Sequence, residues 1–324
     1  MKIKKLVLLA CAFVIIPSFI IAGIAVPNSH AEEEYIYLTL VSSVPYWADA
    51  KEGVKDAGKA LGVKTTFMGP TTFDVAAEAQ MLDDLMVKKP AGIMIYPGDT
   101  SLTESINRAV EAGVPVITDN NDCPDSKRMT YFGFDGYQAG RYGAEMLAEA
   151  IGGEGDVIIG GFPSPNVMDR QRGYQDVFKK KYPKIKVVAV INDYADPSRA
   201  PQAYAQAIIA HPGVKGIAGT DGDSGKGIAL ALIETGNVGK IKAVAMDRNE
   251  DMLPYIEDGT LYGSIADKAY MNAYMGIHML YWYHHNSVNP IPNWKKLGMD
   301  VFPNRVKTGV MAITKDNVKN FYHK

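Results

Sequence analysis

From Tyr35 onward, short runs of β-branched and aromatic residues alternate with longer stretches whose apolar positions recur at helical spacing. Residues 35–41 read as a strand, and the helix expected over 46–61 places Ala50, Val54, Ala57 and Leu61 on one face. A strand over 63–68 follows, then a helix over 74–88 with Ala77, Met81, Leu85 and Lys88 along one stripe, a strand over 91–96 and a helix over 101–112. Strands at 114–118 and 129–134 bracket a polar loop, 119–127. The rhythm restarts with a helix at 137–151, then strands at 156–160, 186–191, 216–220, 242–246 and 261–266 with helices between them. A helix over 270–284, a Pro/Asn-rich connection at 286–293 and a last strand near 308–313 close the pattern. Strand–helix alternation with Gly, Pro, Asn or Asp at the junctions is what parallel sheets require, since parallel neighbours are joined by crossovers. The chain is therefore expected to be α/β, with two doubly wound lobes.

The first 31 residues break this pattern. Lys2, Lys4 and Lys5 precede an almost wholly apolar run from 6 to 26, and Ser29-His30-Ala31 offers small residues where a signal peptidase reads. An export signal cleaved after Ala31 is expected. The other reading is a retained anchor, because 21 apolar residues can cross about 30 Å of hydrocarbon. Pro17 and the peptidase-like site speak for cleavage, and Cys11 has too short an apolar run before it for a lipoprotein signal. Cleavage leaves 293 of the 324 residues, enough for two domains. It removes three lysines and no carboxylate, taking the formal net charge from −2 to −5. That balance, with no basic run longer than Lys179-Lys180-Lys181, excludes an ordinary nucleic-acid-binding face. Cys123, in the loop after the strand ending at Thr118, is the one cysteine left and is expected as a free thiol between the lobes.

The residues needed for catalysis are missing. There is no G-x-S-x-G elbow, and His278 and His285 have no acidic or cysteine ligand at metal spacing. Gly222-Asp223-Ser224-Gly225-Lys226-Gly227 fails as a phosphate loop, because Thr220 and Gly227 stand where Gly and Ser/Thr are needed. The first strand-to-helix turn, Ser42-Ser43-Val44-Pro45, has no dinucleotide fingerprint. No metal and no cofactor are expected.

Polar and aromatic residues instead collect after the strand ends, where open α/β sheets place ligands. They are Pro45, Tyr46 and Trp47, then Asp119, Asn120, Asn121 and Asp122, then Asn166, Asp169 and Arg170, and lastly Asp221, Asp247 and Asp267. Aromatic rings cover the C–H face of a sugar, while carboxylates, amides and a guanidinium pair with its hydroxyl edge.

On Pro45-Tyr46-Trp47, Pro115-Val116-Ile117-Thr118, Arg170-x-x-Gly173-Tyr174, Ala210-His211-Pro212, Gly219-Thr220-Asp221, Met246-Asp247, Asp258-Gly259 and Thr314-Lys315-Asp316-Asn317, the chain resembles the ribose-binding type of periplasmic sugar-binding proteins. The resemblance implies a type I periplasmic binding fold whose two lobes, 32–134 with 268–302 and 135–267 with 303–324, are joined by three chain crossings. It also implies a monomer that engulfs a monosaccharide or polyol and presents it to an ABC permease. On this resemblance Tyr46 and Trp47 stack on the ligand, Asn120, Asn121 and Asp122 belong to the first lobe's contacts, Arg170 clamps, and Asp221, Asp247 and Asp267 accept hydroxyls. Val44, Asp221 and Asp267 depart from the residues common in relatives, and Ala195 stands where the second lobe usually has an aromatic. A sensing receptor, for a furanosyl autoinducer or a chemotaxis ligand, is the alternative on the same fold.

Overall fold

In the computed structural model, which describes residues 33–287 and 293–322, twelve strands form two six-stranded sheets. The expected export segment and part of the 286–293 connection lie outside the described residues. The first lobe takes β1 (Glu34–Thr39), β2 (Lys64–Met68), β3 (Gly92–Tyr96), β4 (Val116–Asp119) and β5 (Thr130–Gly133), and the second takes β6 (Gly155–Gly161), β7 (Ile185–Asn192), β8 (Val214–Gly219), β9 (Lys242–Met246) and β10 (Gly263–Ala266). Two short strands, β11 (Arg305–Lys307) and β12 (Met311–Thr314), add one edge to each sheet. The orders are β11-β5-β4-β3-β1-β2 and β12-β10-β9-β8-β6-β7, parallel throughout except for β12 against β10. Strand direction of travel therefore reverses beside β1 and beside β6, and a crevice opens at their C-terminal ends.

The helices are α1 (Ala48–Leu61), α2 (Val75–Lys88), α3 (Thr103–Glu111), α4 (Gly136–Ala150), α5 (Pro165–Lys181), α6 (Ala200–Ala210), α7 (Ser224–Glu234), α8 (Leu253–Glu257) and α9 (Ala269–His284). Period-two alternation decides which core each strand residue joins. Tyr35 and Tyr37 of β1 pack with α1 and α9, through Ala50, Val54, Ile277 and Leu280. Ile36 and Leu38 face the other way, onto Leu82 of α2 and Ile106 of α3. That second core also holds Cys123, which is fully buried with Sγ 3.5 Å from the Asp99 carbonyl oxygen. Burial pushes the thiol up to about 11. The loop after β4 folds back into its own lobe, so this cysteine is not in the cleft where the sequence suggested it.

One expected boundary is corrected. The strand expected near 308–313 is two strands on different lobes: β11 pairs with β5, and β12 pairs with β10. Both the Thr308 amide and its Oγ1 donate to the Gly133 carbonyl, at 2.8 and 3.0 Å, which keeps the chain in the first lobe beyond the expected break at 302/303. Gly309, at φ 73°, then turns it across.

Candidate functional site

Two strand ends enter the cleft in left-handed backbone conformation: Asn120 after β4 at φ 60° and Asp247 after β9 at φ 68°. Asn and Asp tolerate this region because their short polar chains bond locally, so the residue types after the strands carried real information. Tyr46, in the tight turn Pro45–Trp47, donates from its hydroxyl to Asp267 Oδ2 at 2.8 Å and accepts from Asn120 Nδ2 at 2.7 Å. Trp47 is buried edge-on to Tyr46 and Tyr96, with ring centroids 4.6 and 5.2 Å apart. From the second lobe, Arg170 on α5 donates Nη1 to the Thr220 carbonyl at 2.7 Å and lies over the Phe134 ring at 4.9 Å. Asp221 spends Oδ1 on the amides of Asp223 and Ser224, at 2.9 and 3.1 Å, which ties down the start of α7.

These groups surround a cavity between the lobes. Tyr46, Trp47, Asn120, Arg170, Asp221 and Asp247 all line it. Asp267 does not; it stands behind Tyr46 and acts on the cavity through that hydroxyl. Asn121 is also outside the lining, with its amide turned to the lobe–lobe contact. Asp122 is a correction. Its carboxylate accepts from Thr118 Oγ1 at 2.9 Å, from Arg128 at 2.5 and 2.8 Å and from Arg305 at 2.8 Å, so it fastens the β11 segment to the first sheet. The lining also includes residues that were not expected, among them Phe73, Tyr96, Phe162 and Asp223. Phe162 had a signal, since it follows the β6 glycines at a strand end, whereas Phe73 sits mid-loop with none. The two phenylalanines, one from each lobe, meet edge to face at 5.7 Å and 85°. Ala195, at φ 49°, adds no ring to the second lobe's wall, where Phe162 supplies one, and Tyr194 beside it is turned out under Arg199.

Residues 36–284 match the periplasmic binding protein domain model. The chain belongs to that family. It is 26% identical over 251 residues to the D-allose-binding periplasmic protein of Escherichia coli K12, covering 74% of this chain and 80% of that one. Among solved structures it is similar to AraP, an arabinose binding protein from Geobacillus stearothermophilus, with 31% identity, TM-score 0.77 and coverage of 90% and 100%. A solute-binding protein from Burkholderia graminis C4D1M, solved with D-arabinose, gives 28% identity, TM-score 0.82 and coverage of 91% and 99%. A periplasmic binding protein works outside the cytoplasm and is a binder rather than an enzyme, so the cleft is to be understood as a recognition site.

The electrostatics of this binding-protein cleft are set by burial. Asp247 is pushed up to about 8, first by burial and then by the nearby charge of Asp267, with Arg170 pulling the other way. Asp223 rises to about 6 through burial and the charge of Asp193. Asp221 is raised well above the carboxylate range for the same two reasons. Asp267 is raised by burial although the Tyr46 hydrogen bond opposes it. Four atoms of the lining residues lie buried with no hydrogen-bond partner: Trp47 Nε1 in the first lobe, and Arg170 Nε, Asp221 Oδ2 and Asp247 Oδ1 in the second. Among the described residues no cluster of three or more His, Cys, Asp or Glu has the geometry to hold a metal ion.

Proposed function

We propose that this chain is the solute-binding component of an ABC importer and that its cleft takes a neutral monosaccharide or polyol. The observation that carries this reading is the set of three unpartnered buried atoms in the second lobe, on Arg170, Asp221 and Asp247, facing the aromatic wall of Tyr46 and Trp47 across one cavity. A buried polar atom without a partner costs about 1–3 kcal/mol, and ligand hydroxyls relieve that cost because each can donate and accept at once. Hydrogen bonds to charged groups contribute about 1.5–3 kcal/mol each. The C–H face of the ring then lies against Trp47 and Tyr46, while Asn120 bonds an edge hydroxyl and Asp267 holds Tyr46 in place. Relatives named for D-allose and xylitol, and solved relatives named for or bound to arabinose, support the class of ligand. They favour an import role over a sensing one. A thermal-shift panel of pentoses, hexoses and polyols tests the reading. At least one neutral member is expected to raise the melting temperature by several degrees through ligand linkage, and no shift from any member at millimolar concentration contradicts it. Residues 1–31 serve in this reading as an export signal, so the intact mass from the native host should begin at Glu32; membrane-bound material retaining them contradicts that part. The exported protein acts as a monomer and hands its ligand to the membrane permease.

A further inference from the structure

Helix α5 carries Arg170 in its second turn, and its first-turn amides are capped from both lobes: the Val167 amide donates to Asn166 Oδ1 at 2.8 Å within its own lobe, while the Asn166 amide finds its acceptor in the other. Ser164 occupies the N-cap position but makes no side-chain bond to a helix amide; its Oγ donates to Asn166 Oδ1 at 3.0 Å instead. The first-turn amide of Asn166 donates across the cleft to Asn121 Oδ1 at 3.1 Å. The same Asn121 donates Nδ2 to Ser164 Oγ at 3.1 Å, and Asn166 Nδ2 donates to Asn120 Oδ1 at 3.1 Å. Within its own lobe Asn121 is held by the carbonyls of Pro97 and Gly98, at 3.0 and 3.5 Å. The residue is 3% exposed and does not reach the ligand cavity.

We propose that Asn121 is a positioning residue that caps α5 from the opposite lobe, so that closing the cleft completes the helix end that aims Arg170 at the ligand. An uncapped first turn leaves amide donors to water, and a supplied side-chain acceptor fixes both their geometry and the entry angle of the helix. The first lobe thus reports its closure to the second through a hydrogen bond separate from the ligand. This rests on the proposed cleft-closing function, so the cap is tested in protein closed on a sugar.

The experiment is hydrogen exchange over residues 163–170 in wild type, Asn121→Ala and Asn121→Asp, each without ligand and saturated with the neutral sugar that gives the largest thermal shift, the differences being read in the sugar-bound state. Alanine is expected to speed exchange of this segment about five- to tenfold, the size of one helix cap. Aspartate keeps the acceptor but loses the donors to Pro97, Gly98 and Ser164, and is expected to exchange like wild type. With the same sugar, the alanine variant is also expected to dissociate about five- to tenfold faster at an unchanged association rate, because the contact forms only after encounter. Unchanged exchange in the alanine variant overturns the proposal. So does an aspartate variant that exchanges as fast as the alanine one, which would place the effect in the bonds to Pro97 and Gly98. A wild type that binds the sugar without gaining protection over residues 163–170 overturns it as well, while failure of every sugar in the panel to bind counts against the proposed function instead.

Discussion

Replacing Arg170 with alanine is expected to lower affinity for a neutral sugar by at least about a hundredfold at pH 7. The guanidinium is the one cation among the residues lining the cavity, which also include the carboxyls of Asp221, Asp223 and Asp247. Two effects add. The ligand loses forked donors worth about 1.5–3 kcal/mol each, and the buried carboxyls lose the charge that opposes their rise in pKa. Closing the cleft without that charge leaves Asp223 to be buried unpaired or to take up a proton, so the open form gains as well. Arg170→Lys retains a charge but not the fork, and should recover no more than about a tenth of the lost affinity. Calorimetric titration of the two variants checks both numbers. An alanine variant that binds within threefold of wild type would remove Arg170 from the ligand's contacts.

Glu78→Gln is expected to stabilise the protein at neutral and alkaline pH. Glu78 lies on α2 with no exposed surface; Oε2 accepts from the Gly98 amide at 2.9 Å, and Oε1 has no partner. Burial is the main cause that pushes its carboxyl up to about 9. An unfolded Glu titrates near 4.3, so from there to about 9 the folded state holds a proton that the unfolded state has lost. Stability is then greatest below the unfolded value and falls by about 1.4 kcal/mol per pH unit as pH rises through the folded value. Glutamine is the neutral isostere and removes this one contribution. Urea midpoints of the two proteins should coincide near pH 4.5 and separate progressively to pH 8, with the variant higher by up to about 4 kcal/mol. Equal pH slopes would show that Glu78 is not held protonated.

The parts of this fold that the sequence made legible are those decided by local patterning. Apolar runs such as Ile93-Met94-Ile95 placed the strands, and the Asn and Asp after β4 and β9 marked the left-handed exits that aim side chains into the cleft. What stayed hidden depends on partners far along the chain. Asp122 looked like a ligand residue beside Asn120 and Asn121, but its carboxylate is claimed by Arg305, 183 positions away. Asn121 turned to α5 rather than to the cavity because it supplies the acceptor for the Asn166 amide in that helix's first turn, which no spacing rule reveals. Phe73 and Phe162 meet only when the two lobes do. The split of the last strand hung on Thr308 bonding back to Gly133, a contact between segments 175 residues apart.

The central claim is that a cleft short of cations accepts neutral hydroxylated rings, and one titration tests it most directly. The neutral aldose giving the largest thermal shift is titrated at pH 7 beside the uronate of the same sugar. Burial holds Asp221 and Asp247 mainly as neutral acids at pH 7 and Arg170, the one lining cation, is balanced by Asp223, so a carboxylate on the ligand would be buried with no cation of its own. The neutral sugar is expected to bind at least about a hundredfold tighter than its uronate, a difference of about 2.7 kcal/mol or more. A uronate that binds as tightly as its parent, or more tightly, would contradict the account.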